Sequence, residues 1–218
     1  MVNKIMDAKS AVSKIKDGDR VMIGGFGMRG MPDCLIDALI EHGAKDLTII
    51  SNDASGPGES IGKLLRSNQV KHMIGTHYNR NTDVSTQYNE GKLLVTLMPQ
   101  GTLAEAIRAA SVGIPAFYTP TGVGTMMAEG KETRNINGKV YVLEEAIYAD
   151  VALVWAYKSD AMGNLVFCKT ARNFNPLMAM AANYTIVQTF ELLEPGELDP
   201  ECIVTPHIYV NAIVKVGA

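Results

Sequence analysis

Asp17-Gly18-Asp19-Arg20-Val21-Met22-Ile23-Gly24-Gly25-Phe26-Gly27-Met28-Arg29-Gly30-Met31-Pro32 sets a strand, a glycine loop and a helix start side by side. The run Arg20–Ile23 is short, apolar and closed by two glycines, which reads as a buried strand entering a loop. After Pro32, Leu35, Ile36, Leu39 and Ile40 recur at helical spacing as far as His42. Pro32 stands at the first turn and Gly43 just past the end, the asymmetry expected of helix termini.

The same unit repeats outward. Asp7–Ile15 reads as a short amphipathic helix capped by Asp7. Leu47–Ser51, Val70–Ile74 and Leu93–Met98 are further strand candidates, separated by a loop at Asn52–Gly58 and a helical stretch at Glu59–Ser67. Thr102–Ala110 reads as a helix, with Thr102 and Glu105 spaced as a capping box. This rhythm predicts an α/β fold: an open, mostly parallel sheet flanked by helices. From Gly113 the texture changes to Pro, Gly and Thr, and Asn137–Gly138 between Thr133–Ile136 and Lys139–Leu143 signals a hairpin. Val151–Tyr157, Leu165–Cys168 and Thr185–Thr189 are strand candidates, Pro176–Ala182 a helix, and Tyr209–Val216 a closing edge. The expectation is one domain over residues 1–218, with a β-rich insertion near 113–148.

Composition excludes several classes. With 218 residues, 47% apolar and 20% charged, the chain can bury a full core and is not a disordered segment. A formal charge of -3 without a Lys/Arg run gives no footprint for nucleic acid. The apolar run at Val151–Tyr157 is far short of the roughly 20 residues that cross a bilayer, and the first 17 residues carry no signal-peptide apolar core. Cys34, Cys168 and Cys202 form neither a metal-binding pair nor a disulfide framework, which suits a reducing, cytoplasmic setting. His72 and His77, five apart on a strand and its loop, do not have the spacing of a helical zinc pair, so no metal is expected.

Two short motifs offer enzymatic or binding readings. Gly25–Gly30 is formally GxGxxG between a strand and a helix, as in a dinucleotide site, with Asp53 available for a ribose. Gly58-Glu59-Ser60-Ile61-Gly62 is formally GxSxG, which would make Ser60 a nucleophile. His207 would be its base, and Asp150, Asp160 or Asp199 its acid. The bland readings are a tight strand-to-helix turn and an ordinary helix start.

The longer pattern is more specific. Asp17–Pro32 resembles the signature of the α subunits of the class I coenzyme A transferases: Asp-Gly, two variable residues, three apolar residues, Gly-Gly-Phe, three variable residues, Gly-x-Pro. Ser51-Asn52-Asp53, Pro99–Glu105, Ile114–Thr125, Ala171–Pro176 and Val204–Pro206 are also similar to this family, so the resemblance spans nearly the whole chain. It is closest to the subunits of enzymes that handle acetoacetate and short fatty acids. Residues 79–88 depart from the Asn-Pro-Glu/Asp-Thr-Gly pattern common there.

The resemblance implies transfer of coenzyme A between an acyl thioester and a free acid, with coenzyme A as substrate and no permanently bound cofactor. The family's nucleophilic Glu lies in the β subunit in a Ser-Glu-Asn-Gly context, and this sequence has no such tetrapeptide. The implied partner is therefore a β subunit in a heterodimer or α2β2 assembly. A net-acidic chain is also a poor seat for coenzyme A's phosphates, so the basic nucleotide pocket is expected on that partner. For this chain the resemblance implies substrate or oxyanion contacts at Gly24, Gly25, Phe26, Gly27, Asn52 and Gln100, and a nearby loop at Gly122 and Gly124. Free N–H groups in the glycine turn would serve an oxyanion, and the two amides would offer donors without adding charge.

Overall fold

The computed structural model describes residues 3–217. Strands β1 (Arg20–Ile23), β2 (Leu47–Ile50), β3 (Val70–Gly75) and β4 (Leu94–Leu97) alternate with helices. Those helices are α1 (Ala8–Val12), α2 (Asp33–His42), α3 (Ile61–Arg66), α4 (Thr82–Asn89) and α5 (Gln100–Ser111). A separate antiparallel sheet follows, β5 (Ala116–Thr119), β6 (Thr133–Ile136) and β7 (Lys139–Glu145), in the order β5-β7-β6. The chain then returns with β8 (Ala149–Asp160), β9 (Leu165–Val166), α6 (Asn175–Met180), β10 (Ala182–Leu193) and β11 (Ala212–Lys215). The main sheet runs β11-β10-β8-β1-β2-β3-β4, parallel throughout, with β9 folded back antiparallel on β8.

Both faces of this sheet are covered, which explains its near-continuous apolar strands. Successive side chains leave a strand on opposite faces. Val21 and Ile23, Leu47 and Ile49, and Val151 and Leu153 enter one core, under α1, α2 and α3. Met22, Ile50, Ala152 and Val154 enter the other, under α5 and α6. Burial of a Leu- or Ile-sized side chain stabilises by about 2 kcal/mol.

Local signals account for most boundaries. Asp7 caps α1 by accepting the Ser10 N–H at 2.8 Å. Gly43 ends α2 at φ 81°, its N–H donating to the Leu39 carbonyl. Asn137 and Gly138, both at positive φ, make the two-residue turn between β6 and β7.

Four expectations need correction. Helix α4 has no counterpart among the sequence expectations, because only Val84 of its residues is buried and an apolar period is missing; Asn81 starts it by accepting the Asp83 N–H. The Thr102/Glu105 capping box does not form. Helix α5 opens two residues earlier behind Pro99, Thr102 is buried within it, and Glu105 binds Arg108 instead. Strands β8 and β10 run twelve residues each, because they pair with one another from Ala182–Ala149 to Leu193–Asp160, past the ends of the shorter strands. Tyr209 lies in a 3₁₀ turn, and the closing edge is only Ala212–Lys215.

Candidate active site

Four loops leave the carboxyl ends of β1, β2, β3 and β4, where ligands of open α/β sheets bind. After β1 the chain makes a tight hairpin. Phe26 and Arg29 exchange both backbone hydrogen bonds, 3.1 and 3.0 Å, around Gly27–Met28. The glycine N–H groups are already used. Gly24 N–H donates to Leu153 O (2.9 Å), Gly25 N–H to Asn173 Oδ1 (3.1 Å) and Gly27 N–H to Asp53 Oδ2 (2.8 Å). The expected free donors at Gly24, Gly25, Phe26 and Gly27 are thus committed within the chain, and no oxyanion hole is formed by them. Crowding accounts for two of the glycines: a Cβ on Gly24 would stand 1.9 Å from Asn175 Oδ1 and one on Gly25 1.9 Å from Met31 Sδ, whereas Gly27 is set by its φ of 58°.

Two asparagines hold this hairpin. Asn175, fully buried, accepts the Trp155 N–H at 2.8 Å and donates to the Gly30 and Ala171 carbonyls at 3.0 Å. Asn173 accepts from Gly25 N–H and donates to the Arg29 carbonyl at 2.9 Å. In the sequence this stretch, Ala171–Pro176, carries part of the family resemblance but no assigned role. The Asn-Phe-Asn spacing within it is the signal that could have marked one.

Asn52 and Gln100 come together. Gln100 Nε2 donates to Asn52 Oδ1 at 2.7 Å, and Thr76 Oγ1 donates to the same atom at 3.1 Å. Asn52 Nδ2 donates to Asp53 Oδ2 at 2.8 Å. A carboxylate only accepts, so Asp53 fixes which way Asn52 faces, and Asn52 in turn fixes Gln100. Asn52 is 0% exposed and spent on both ends, whereas Gln100 is exposed. Only Gln100 of the pair presents free amide atoms to solvent, its Oε1 and the remaining N–H. Asp53 completes the cluster by accepting the Ser55 N–H at 2.8 Å.

Two hollows flank the cluster. A small one, about 40 Å³, is lined by Phe26, Asp53, Ser55, Tyr78 and Arg80. A trough of about 750 Å³ runs from Thr76 and His77 along α4 and the β4 edge to Met126 and Met127. Leu97, Tyr88 and Met126 stand exposed around it, an apolar patch of the kind that marks an interaction surface. Tyr78 lines both hollows; burial, then the Asp53 charge, pushes its pKa well above the ordinary phenol value, so it keeps its proton. Gly122 and Gly124, at positive φ, shape the turn before Met126, and neither is hydrogen-bonded to Asn52 or Gln100 among the described residues.

The two short motifs do not form sites. The GxGxxG glycines build the hairpin rather than a helix N-terminus, and Asp53 is occupied by three N–H donors, so no dinucleotide seat remains. Ser60 is 2% exposed, caps α3 at φ 46°, and its hydroxyl has no partner. His207 lies elsewhere, its N–H on Asn164 and its carbonyl on Lys4. Asp160 is taken up by Gly163 and Asn164, Asp150 by Arg20, and Asp199 by Glu201, so none of them orients His207. His72 bonds Thr96 and His77 bonds Thr76. No helix among the described residues is long and apolar enough to cross a membrane.

A doubly covered parallel sheet with a small second sheet is a fold shared with solved coenzyme A transferases. The chain belongs to the coenzyme A transferase family, whose model matches residues 5–216. It is 49% identical over 215 residues to the A subunit of the succinyl-CoA:3-ketoacid coenzyme A transferase of Helicobacter pylori J99, covering 98% of this chain and 93% of the relative. It is 42% identical to the alpha subunit of the acetate CoA-transferase of Escherichia coli K12, covering 98% and 97%. In fold it is similar to an acyl-CoA transferase of E. coli O157:H7 solved as a thioester complex with CoA, with TM-score 0.88 and 22% identity. That match covers 98% of this chain but 47% of the solved one, so this chain spans about half of that protein. The chain is an α-type subunit of a coenzyme A transferase.

Proposed function

We propose that this chain supplies half of an active site that moves coenzyme A between a short acyl-CoA or 3-oxoacyl-CoA, such as acetoacetyl-CoA, and a free acid such as acetate, butyrate or succinate. The partner β subunit carries the nucleophilic Glu. Its carboxylate attacks the thioester carbonyl, the coenzyme A thiolate leaves, and a mixed anhydride remains. The thiolate then attacks the glutamyl carbonyl and releases the first acid, leaving a glutamyl-CoA thioester. The acceptor acid reverses these steps. Covalent capture divides a difficult exchange into easier ones.

The observation that carries this reading is a mismatch within the site. The cluster at the strand ends has positioned amides and a small hollow beside them, yet none of the residues lining either hollow is a glutamate. The exposed apolar trough beside it supports a partner covering that side. In this assembly Gln100 faces the reacting acyl group, Asn52 and Asp53 hold Gln100, and Phe26 walls the acyl pocket. Gly24, Gly25 and Gly27 keep the hairpin close to the cluster.

The test is chemical trapping. The mixed α and β subunits receive acyl-CoA without acceptor acid, then borohydride, which reduces a glutamyl thioester to the alcohol. The expected result is lost activity with a reduced glutamate in a partner peptide. A reduced glutamate in this chain would overturn the half-site reading.

A further inference from the structure

We infer that His77 is a binding residue of this site: its proton is locked on Nδ1, and its bare Nε2 accepts an amide N–H from the pantetheine arm of coenzyme A. This rests on the transfer reading above and adds a residue to it.

The place of the proton follows from counting donors. Asp53 Oδ2 only accepts, so the Asn52 side chain meets it with Nδ2 at 2.8 Å and turns Oδ1 the other way. Thr76 Oγ1 lies 3.1 Å from that Oδ1 and 2.8 Å from the Asn52 carbonyl oxygen. Neither oxygen can donate, so the one hydroxyl proton of Thr76 is spent on Asn52. His77 Nδ1 stands 2.9 Å from the same Oγ1. That contact is a hydrogen bond only when Nδ1 supplies the proton. A neutral imidazole carries one proton, so Nε2 keeps a lone pair. Asp53 thus sets the tautomer of His77 through Asn52 and Thr76.

Nε2 has no partner among the described residues, and the half-buried His77 lines both hollows. An acceptor there suits few groups of this reaction. Carboxylates, the thioester carbonyl and a 3-oxo group only accept, and Gln100 has a spare N–H for them. The amides of the pantetheine arm donate. The trough that opens at Thr76 and His77 suits the rest of that uncharged arm. It holds about 750 Å³, its wall includes Val84, Tyr88, Val95 and Leu97, and no Asp, Glu, Lys or Arg lines it. Its head lies beside the reacting end, because Thr76 and Gln100 donate to the same Asn52 oxygen.

The experiment uses the assembled α and β subunits and measures the two half-reactions apart. In a ping-pong transfer, kcat/KM for acyl-CoA starts from free enzyme, before the arm is held, so losing the acceptor lowers it. kcat/KM for the acceptor acid starts from the glutamyl-CoA enzyme, where the arm is already held and its contact cancels. His77→Leu should lower kcat/KM for acyl-CoA about tenfold, the worth of one hydrogen bond, and leave that for the acid within about twofold. His77→Gln restores an acceptor oxygen and should stay within about threefold on both. Thr76→Val frees the ring proton to move to Nε2 and should lower kcat/KM for acyl-CoA about fivefold. Nitrogen-15 spectra of the assembly, labelled at the four histidines of this chain, locate the proton at pH 9, where histidine rings are neutral. It should lie on Nδ1 of His77. A proton on Nε2 in the wild type overturns the inference and leaves the transfer reading in place. So do equal losses in both constants for His77→Leu, no loss in either, or a His77→Gln as impaired as His77→Leu. Absence of transfer by the wild-type assembly overturns both.

Discussion

Asn175→Leu will lower the stability of this chain by about 3–5 kcal/mol, although it replaces one small side chain by another of similar shape. Leucine can fill the space but leaves the Trp155 N–H and the Gly30 and Ala171 carbonyls without their partner. Each buried group left unpaired costs about 1–3 kcal/mol. Gly24→Ala attacks the same joint from the other side, because its new Cβ falls 1.9 Å from Asn175 Oδ1 and 2.7 Å from Cγ. Both variants break one arrangement, so their losses should be strongly non-additive in the double mutant. Urea unfolding at fixed pH measures all three. A loss below about 1 kcal/mol for Asn175→Leu would mean that the hairpin holds itself and the asparagine clamp is incidental.

Asn52→Asp should produce a protein whose stability depends on pH in one direction. The new carboxylate would face Asp53 at the 2.8 Å now spanned by the amide, within a fully buried position. Two carboxylates so close cannot both ionise, so one keeps its proton and its folded-state pKa rises by several units. A raised folded pKa means that the folded state holds the proton after the unfolded chain, titrating near about 3.9, has released it. Stability relative to the wild type is therefore greatest below pH about 4 and falls as pH rises towards the raised pKa, by about 1.4 kcal/mol per unit. By pH 7 the variant should have lost about 3–4 kcal/mol on that slope. At low pH the protonated acid still donates to Asp53 and accepts from Gln100, so the cluster survives. Denaturation at pH 5 and pH 8, with the wild type as reference, measures the slope. A pH-independent difference would show that Asn52 and Asp53 are not in contact.

The fold is legible in the sequence because its strands are short and bounded. Arg20–Ile23 ends at two glycines, and the helix of Leu35, Ile36 and Leu39 ends at Gly43, so period and punctuation agree. Helix α4 is not legible because its outer face is polar and a single valine ties it to the core. The full lengths of β8 and β10 are hidden for another reason. Lys158, Ser159 and Glu191 lie beyond the apolar runs, yet they sit in register where β8 and β10 run on past β1, with β9 on the far side of β8.

The site divides in the same way. Asn52 and Gln100 are marked by their family resemblance and their positions after strands, and they do meet. Asp53 suggests only a ribose contact in the sequence, because its role depends on a hairpin whose Gly27 N–H is 26 residues away. Asn173 and Asn175 act across more than 140 residues, a pairing that no local pattern carries. The free N–H groups expected in the glycine turn fail for that reason: glycine shows that the backbone comes close to something, and that something is the chain itself.

The most direct test of the half-site account is coenzyme A transfer from acetoacetyl-CoA to acetate, butyrate or succinate, followed by loss of enolate absorbance. It is run first with this chain alone and then with the chain purified together with its β subunit. The account predicts no turnover from the chain alone and full turnover from the pair. Turnover by the chain alone would contradict it and would place the nucleophile among this chain's own glutamates.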